Sequence, residues 1–247
     1  MKLIMLGTVG YHPSENRHTT CLMLPSAGVV FDAGTGFFRV GQHLQTKTLD
    51  IFLTHIHLDH SFGLTILLGL MSQHRLERVC IHGEESKLRS VREHLFHPDL
   101  FPVLPQVEWI TLGNDYRLSD GGRLTHWPQE HPNGSRGYRV DWDDGKSFAF
   151  VTDTVADPNA DYVRYLHGVD LLVHECNFED EQRDVALYTG HSHATPVAHV
   201  AQKAQVKRLL LTHFSPTADP LEPIRLAPVR AIFPATEIAT DGLVVEW

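Results

Sequence analysis

The stretch THIHLDH, residues Thr54–His60, places three histidines and an aspartate directly after the short apolar run Ile51–Leu53. The run predicts a buried strand whose carboxyl end opens into the histidines. Because side chains alternate along an extended chain, the first two histidines project to the same side, while the aspartate and the third histidine lie beyond the strand, where a helix begins. A solvated turn whose histidines cap a helix explains this spacing less well than two adjacent metal ions do.

Length and composition predict a globular chain that forms one domain over residues 1–247. Hydrophobic residues make up 42% of the sequence, and the longest nearly apolar run, Leu64–Met71, is too short to cross a bilayer. We expect no secretory signal, because Lys2–Leu6 shows no basic region followed by a long apolar segment, and the three cysteines form no C-x-x-C pair. We therefore expect a cytoplasmic protein with free thiols and no membrane partner.

The formal net charge of −9 argues against a protein that wraps polyanionic nucleic acid. Two bound divalent ions would add about +4 at the site itself. The overall charge thus favours a small substrate. A local basic patch is the alternative, and ordinary solvated charge explains most of its candidate residues. Those candidates are Arg136, Arg139, Arg164, Lys203, Lys207 and Arg208.

The histidine cluster resembles the signature of the metallo-β-lactamase-fold hydrolases, and the pattern that follows resembles the ribonuclease Z and phosphodiesterase branch of that superfamily. The resemblance runs nearly from Met1 to Trp247. It implies an α/β fold with two sheets sandwiched by helices, a four-layer αββα arrangement, which suits the order of the predicted elements. Strands are predicted at 3–6, 21–24, 29–31, 51–53, 78–82, 107–112, 123–127, 138–142, 148–151, 171–174, 209–211 and 243–246, and helices at 62–71, 84–97, 161–167 and 195–204.

Further candidate ligands follow other predicted strands, namely His131, Asp153 and His213. The resemblance implies one metal held by His55, His57 and His131, a second held by Asp59, His60 and His213, and Asp153 bridging them. Imidazole and carboxylate ligands suit two divalent ions, with Zn²⁺ preferred and Mn²⁺ or Fe as alternatives.

Asp32 follows a predicted strand in Asp32-Ala33-Gly34. In the family that this chain resembles, such an aspartate lies beneath the metals, where it would orient a ligand histidine through its other ring N–H. A plain turn aspartate before glycine explains the residue equally well.

Glu175 and His193 are the candidate acid–base pair, because the ribonuclease Z pattern has a glutamate and the histidine of a His-x-Thr segment at these places. A glutamate that holds a histidine would favour a protonated ring facing the leaving group. His191 is the alternative donor. We prefer His193 because Thr195 would then cap the next helix, with Pro196 in its first turn.

These parts predict a dinuclear hydrolase in which a metal-held hydroxide attacks phosphorus, Asp59 orients it, and His193 protonates the departing alkoxide. Two departures weaken a role in transfer RNA processing. The stretch between His131 and Asp153 is filled by two predicted strands, so the RNA-gripping arm of ribonuclease Z has no room. In the loop Pro13–His18, Glu15 replaces a family lysine.

We therefore expect a phosphodiesterase acting on a small or cyclic phosphodiester. Three alternatives stay open. The first is tRNA 3′-end cleavage, because armless ribonuclease Z forms can use the RNA-binding surface of a homodimer partner. The same metals could open an ester, thioester or lactone, in which case His193 would be dispensable. The chain could also be a metal-holding sensor or binding module without turnover.

Overall fold

The computed structural model describes residues 1–247 and arranges fourteen strands in two sheets of seven. In chain order the strands are β1 (Lys2–Gly7), β2 (Cys21–Leu24), β3 (Val29–Phe31), β4 (Thr48–Phe52), β5 (Arg78–Gly83), β6 (Glu108–Thr111), β7 (Asp115–Arg117), β8 (Arg123–Gln129), β9 (Ser135–Asp141), β10 (Ser147–Val151), β11 (Leu171–Glu175), β12 (Arg208–Thr212), β13 (Thr236–Ile238) and β14 (Val244–Glu246). The first sheet has the order β14-β1-β2-β3-β4-β5-β6, and the second has the order β13-β12-β11-β10-β9-β8-β7.

Each sheet combines a parallel half with an antiparallel half. Strands β3 to β6 pair in parallel in the first sheet, as do β10 to β13 in the second. Strand β8 is antiparallel to β9, which is antiparallel to β10, so β8 and β10 run the same way. The carboxyl ends of neighbouring parallel strands therefore meet at one edge of each sheet, where polar side chains can converge.

Seven α-helices accompany the sheets, and most of them pack against the outer faces. They are α1 (Val40–His43), α2 (Leu58–Ser61), α3 (Leu67–His74), α4 (Glu85–Ser90), α5 (Arg183–Thr189), α6 (Ala194–Lys203) and α7 (Leu226–Ile232). Tighter 3₁₀ turns occupy Thr35–Arg39, Phe62–Ile66, Asp161–Leu166 and Asp180–Gln182, and a π turn follows α4 at Val91–Leu95. None of the helices is both long and apolar enough to cross a membrane.

Three apolar clusters define the layers. The cluster between the sheets contains Phe31, Phe52, Phe148 and Phe150, all fully buried. A second cluster packs helix α6 against the outer face of the second sheet, and a third packs α1, α3 and α4 against the first sheet. Apolar burial on both faces explains why the central strands are almost entirely apolar. The predicted four-layer αββα sandwich is confirmed.

The predicted strands are confirmed to within a few residues. The predicted helix over 62–71 is instead a 3₁₀ turn, Phe62–Ile66, followed by helix α3. Gly63 packs so closely there that an added Cβ would lie 2.4 Å from the Gly34 carbonyl oxygen, so the turn requires glycine at this position. Strands β7 and β13 and helices α1, α5 and α7 carry too little periodic signal to be found from the sequence.

Candidate metal centre and active site

The predicted site residues come together at the carboxyl ends of strands from both sheets. The Thr54–His60 segment follows β4, and α2 begins within it at Leu58. His131, Asp153 and His213 follow β8, β10 and β12. The local sequence thus places each side chain where a rigid strand ends, and the parallel topology brings the strand ends together.

One group of donor atoms consists of His55, His57, His131 and one oxygen of Asp153. His57 Nδ1 lies 2.9 Å from His55 Nε2 and 3.4 Å from His131 Nε2. Asp153 Oδ2 lies 3.4 Å from His55 Nε2 and 3.5 Å from His131 Nε2.

The second group consists of Asp59, His60, His213 and the other oxygen of Asp153. The Nε2 atoms of His60 and His213 are 3.1 Å apart. Asp59 Oδ2 lies 3.4 Å from each of these nitrogens. Asp153 Oδ1 lies 3.2 Å from each. The two oxygens of Asp153 therefore face different groups, as a bridging carboxylate would.

These separations fit divalent metal ions. Metal–ligand bonds of about 2.0–2.1 Å in a tetrahedron put neighbouring donor atoms about 3.3–3.4 Å apart. Most of the donor distances in both groups lie close to this value. Each group could accordingly hold one ion, with Asp153 shared between them, and the assignment of these seven residues as ligands stays a prediction that the geometry supports.

The buried carboxylates of the two donor groups also favour a positive charge between them. Burial lowers the pKa of His60, yet Asp153, Asp59 and Asp32 raise it well above its usual value. Burial likewise raises the pKa of Asp59, but His60 and His213 hold it far below the usual range. Three carboxylates around one buried ring thus favour a cation there, which a divalent ion can supply in place of the proton.

The outer ring nitrogens have partners that fix how each histidine is presented. His60 Nδ1 lies 2.8 Å from Asp32 Oδ2, and His131 Nδ1 lies 3.0 Å from the Gly190 carbonyl oxygen. His55 Nδ1 lies 3.1 Å from the Thr54 hydroxyl. When these Nδ1 atoms carry the proton, each Nε2 is left free to bind metal.

Asp32 supports both groups from beneath. It is fully buried, and it accepts hydrogen bonds from the Thr54 N–H at 2.7 Å and the Thr54 hydroxyl at 2.8 Å. It thus contacts His60 directly and His55 through Thr54. Of the two sequence interpretations of Asp32, the geometry favours the residue that orients a ligand histidine.

The structure corrects the predicted partner of Glu175. Glu175 Oε1 lies 3.1 Å from Nδ1 of His191. His193 Nδ1 instead lies 2.6 Å from Asp180 Oδ1. The predicted cap is also wrong, because α6 begins at Ala194 with His193 as its N-cap. Asp180 takes the capping role and accepts hydrogen bonds from the N–H and hydroxyl of Thr195.

His191 lies at the edge of the metal centre. Its ring centre is 5.1 Å from that of His131 and 5.3 Å from that of His213. Fully buried Glu175 is held by N–H donors from Thr154 and Ser192. Burial alone lowers the pKa of His191, but Glu175 and Asp153 raise it to about 9. The pair presents a ring that can carry a proton beside the donor groups.

A cavity of about 740 Å³ opens above the donor atoms. His57, Asp59, Asp153 and His191 line its floor. Its walls include Tyr11, Ile56, Leu58, Phe178 and Pro216, and no lysine or arginine lines it. The size suits a small ligand, and the lack of cations leaves any bound metal as the main source of positive charge.

Several residues that contact the candidate ligands could not be identified from the sequence. The Tyr11 N–H donates to Asp59 Oδ2 at 2.7 Å, and the Asn177 amide lies 3.1 Å from His213 Nδ1. Thr54 and Gly190 contact the outer nitrogens of ligand candidates. Two of these four contacts come from backbone atoms, which no residue-type pattern reveals. Only the place of Thr54, directly before the histidines, offered a signal.

Comparison with known proteins identifies the family of this chain independently of the site geometry. A family model for the β-lactamase superfamily domain matches residues 28–214. Ribonuclease Z from Synechocystis sp. is 30% identical, with 100% of this chain and 94% of that protein covered. The alignment spans 318 positions against 247 residues here, so the relative contains residues without a counterpart in this chain.

Two solved structures share the fold. The metallo-β-lactamase-fold protein YhfI from Bacillus subtilis superposes with a TM-score of 0.79 at 20% identity, covering 99% of this chain and 98% of that one. The short form of human tRNase Z superposes with a TM-score of 0.74 at 24% identity, covering 100% and 99% of the two chains. At these identities the likeness concerns the fold alone.

Proposed function

The chain belongs to the β-lactamase superfamily of metal-dependent hydrolases, in the branch that contains ribonuclease Z, and from this premise we propose that it is a phosphodiesterase acting on a small or cyclic phosphodiester. The proposal concerns the bond that is cleaved and the size of the substrate. The hydrolase chemistry itself follows from the family.

The Glu175–His191 pair carries the proposal. A phosphodiester with an alkyl leaving group expels a poor alkoxide, so its cleavage gains much from a proton donor. A β-lactam or thioester depends on such a donor less. A buried carboxylate that holds a histidine at the edge of the donor groups supplies that donor. The reaction that benefits most from this arrangement is phosphodiester hydrolysis.

The donor groups would hold two divalent ions, one at His55, His57 and His131 and the other at Asp59, His60 and His213, with Asp153 between them. When bound, such ions supply Lewis acidity that activates water near neutral pH and offsets the charge of a phosphate group. Zn²⁺ suits these ligands, as do Mn²⁺ and Fe.

Residues of the chain itself would orient the attacking water and protonate the leaving group. Asp59, held by the Tyr11 N–H, would orient the attacking water with its second oxygen. His191 would donate its Nε2 proton to the departing alkoxide, and Glu175 would fix the ring orientation through Nδ1. The apolar walls would shield the reacting group from bulk water.

The lining of the cavity supports a substrate of low charge. No lysine or arginine lines it, so a substrate with several phosphates would keep most of its charge uncompensated beyond the metals. A single phosphodiester carries one negative charge. Its organic groups could lie against Leu58, Phe178 and Pro216.

Cleavage of RNA is the second candidate, and the 30% identity with a ribonuclease Z favours it. The stretch between His131 and Asp153 holds only the β9–β10 hairpin, so it has no arm to grip RNA. Most of the lysines and arginines that could form a basic patch are also paired with acidic side chains. Acidic side chains lie within 2.8 Å of Arg136, Arg139, Lys207 and Arg208. These features favour the small substrate.

A substrate panel tests the proposal. Protein of measured metal content is given bis-p-nitrophenyl phosphate, a thioester, a lactone and a precursor transfer RNA. We expect the phosphodiester to dominate and its turnover to be lost in Asp153→Ala. The control is Asp143→Ala, whose side chain is 96% exposed in the β9–β10 turn. Turnover of only the thioester and lactone would refute the proposal, and specific cleavage of the precursor RNA would establish the second candidate.

A further inference from the structure

A second cluster of metal-binding side chains lies apart from the active site. Asp50 on β4, Cys80 on β5 and Glu108 on β6 occupy one row across three adjacent parallel strands, because Cys80 pairs with both of the others. His82 lies two residues along β5 and so projects to the same face. This is the inner face, since Phe52, two residues beyond Asp50, belongs to the core between the sheets.

The donor atoms of the cluster are close together and held in place. His82 Nε2 lies 2.7 Å from Asp50 Oδ1, and the donors of Asp50, Cys80 and His82 all lie within 4.8 Å of one another. The His82 ring stacks on Phe52 with ring centres 4.2 Å apart, and Tyr116 meets it edge-on at 4.8 Å. Both His82 and Cys80 are 1% exposed. The two rings leave His82 little freedom to turn away.

We propose that Asp50, Cys80 and His82 form a zinc site, with Glu108 completing it. One thiolate, one imidazole and carboxylate oxygens are ligands that Zn²⁺ accepts in a tetrahedron. Zinc–ligand bonds of about 2.0–2.3 Å require donor separations of about 3.3–3.8 Å, so Asp50, Cys80 and His82 need only small side-chain movements. Glu108 lies outside this group of three donors and would have to turn away from Arg78 to bind the same ion. None of these residues belongs to the catalytic donor groups.

The charges around the thiol are compatible with a cation. Asp50 and Glu108 flank Cys80 on both sides, and Glu108 Oε2 lies 3.8 Å from its sulfur. Arg78 is the cation on the same face, and it binds Glu108 at 2.9 Å. Arg78 binds both oxygens of Glu108, at 2.9 Å each, and the two side chains are 43% and 56% exposed, so zinc would compete with Arg78 for Glu108 where solvent screens the ion pair. Burial raises the pKa of the Cys80 thiol to about 12, so zinc would displace a proton there.

The site would link the two sheets. Asp50, Cys80 and Glu108 come from the first sheet, and the Tyr116 hydroxyl of β7, in the second sheet, donates to Asp50 Oδ1 at 3.2 Å. A cation that fixes Asp50 would therefore also hold the edge strand β7. Its role is structural, since binding to the folded state stabilises that state.

Cobalt substitution tests the site without reference to the catalytic reaction. The catalytic groups contain no cysteine, and the other two cysteines, Cys21 and Cys176, are fully buried in apolar clusters. A thiolate-to-cobalt charge-transfer band in the near ultraviolet would therefore report Cys80 alone. We expect the band in the full-length protein loaded with Co²⁺, and its loss in Cys80→Ser. The control Cys21→Ala should keep it.

Metal analysis of the zinc-loaded protein gives the second measurement. Cys80→Ser should contain one equivalent of zinc fewer than the unaltered protein, and Asp50→Asn should bind that equivalent more weakly. Absence of the charge-transfer band from the unaltered protein would overturn the proposal, whatever the variants do. Equal zinc content in Cys80→Ser and the unaltered protein would overturn it too, leaving Asp50 and His82 as a hydrogen-bonded pair.

Discussion

Replacing His191 by alanine should slow the cleavage of phosphodiesters according to how poor their leaving group is. His191 is the ring that Glu175 holds at 3.1 Å, whereas His193 is bound to Asp180 at 2.6 Å. A proton donor positioned on the leaving group contributes about 10²–10⁴-fold. This corresponds to about 2.7–5.4 kcal/mol of transition-state stabilisation. We expect losses in that range for an alkyl leaving group.

The assay compares methyl phosphodiesters whose second group ranges from an alkyl alcohol to p-nitrophenol. A p-nitrophenolate needs little protonation to depart, so the rate loss in His191→Ala should shrink to about tenfold or less along this series. His193→Ala is the matched control, because it removes a partly buried histidine from the same segment. It should lose about twofold or less with every substrate.

Two results would refute the reasoning. A rate loss in His191→Ala that is the same for alkyl and p-nitrophenyl esters would mean that the ring does not protonate the leaving group. A larger loss in His193→Ala than in His191→Ala would restore the donor expected from the sequence. Metal content must be measured in each variant, because the His191 donor atom lies within 4.8 Å of those of Asp153 and His213.

Two further predictions concern the residues that support the candidate site, and a third concerns the stability of the fold. Asp32→Asn should lower the affinity for divalent metal by about 10–100-fold, because the charge that holds His60 is lost while the shape is kept; competition with a chelator measures this, and unchanged affinity would contradict it. Gly10→Ala should reduce metal content and turnover together, since an added Cβ would lie 2.3 Å from the His213 ring, whereas Gly113→Ala, with open space around it, should change neither. Arg17→Met should destabilise the fold by about 3 kcal/mol, or about 6–12 °C in Tm, because the buried guanidinium donates to the Thr8 hydroxyl and the Ala239 carbonyl. Lys203→Met is the control, and an equally small shift in Tm for both variants would show that these hydrogen bonds contribute little.

The clustering of the candidate site residues was predictable because it depends on strand ends. An apolar run followed by a histidine or aspartate can be recognised in the sequence, as at β4, β10 and β12. The parallel topology then brings these ends to one edge. The layers of the fold follow from the same apolar runs. The short edge strands β7 and β13 depend on tertiary packing and leave too few residues to show a period.

The choice between His191 and His193 could not be made from spacing. The two are separated by a single residue, and the pattern His-x-Thr suits a helix that starts after Thr195. The structure starts α6 at Ala194, because Asp180, distant in sequence, accepts the hydrogen bonds of Thr195. That earlier start leaves His193 beside Asp180 and His191 beside Glu175. A capping group from another segment is invisible to local patterns.

Backbone conformation explains how several of these side chains reach the candidate metal-binding groups. Asp32, Asp153 and His213 adopt the left-handed region with φ of 58°, 45° and 56° just after β3, β10 and β12. For residues other than glycine this costs about 1–2 kcal/mol each. Glycine would relieve that cost, yet it has no side chain to bind metal or hold a ligand. The candidate site therefore has a strained backbone at three strand ends. The hydrogen bonds from Thr54 to Asp32 offset part of this strain, and they also orient the candidate ligand histidines.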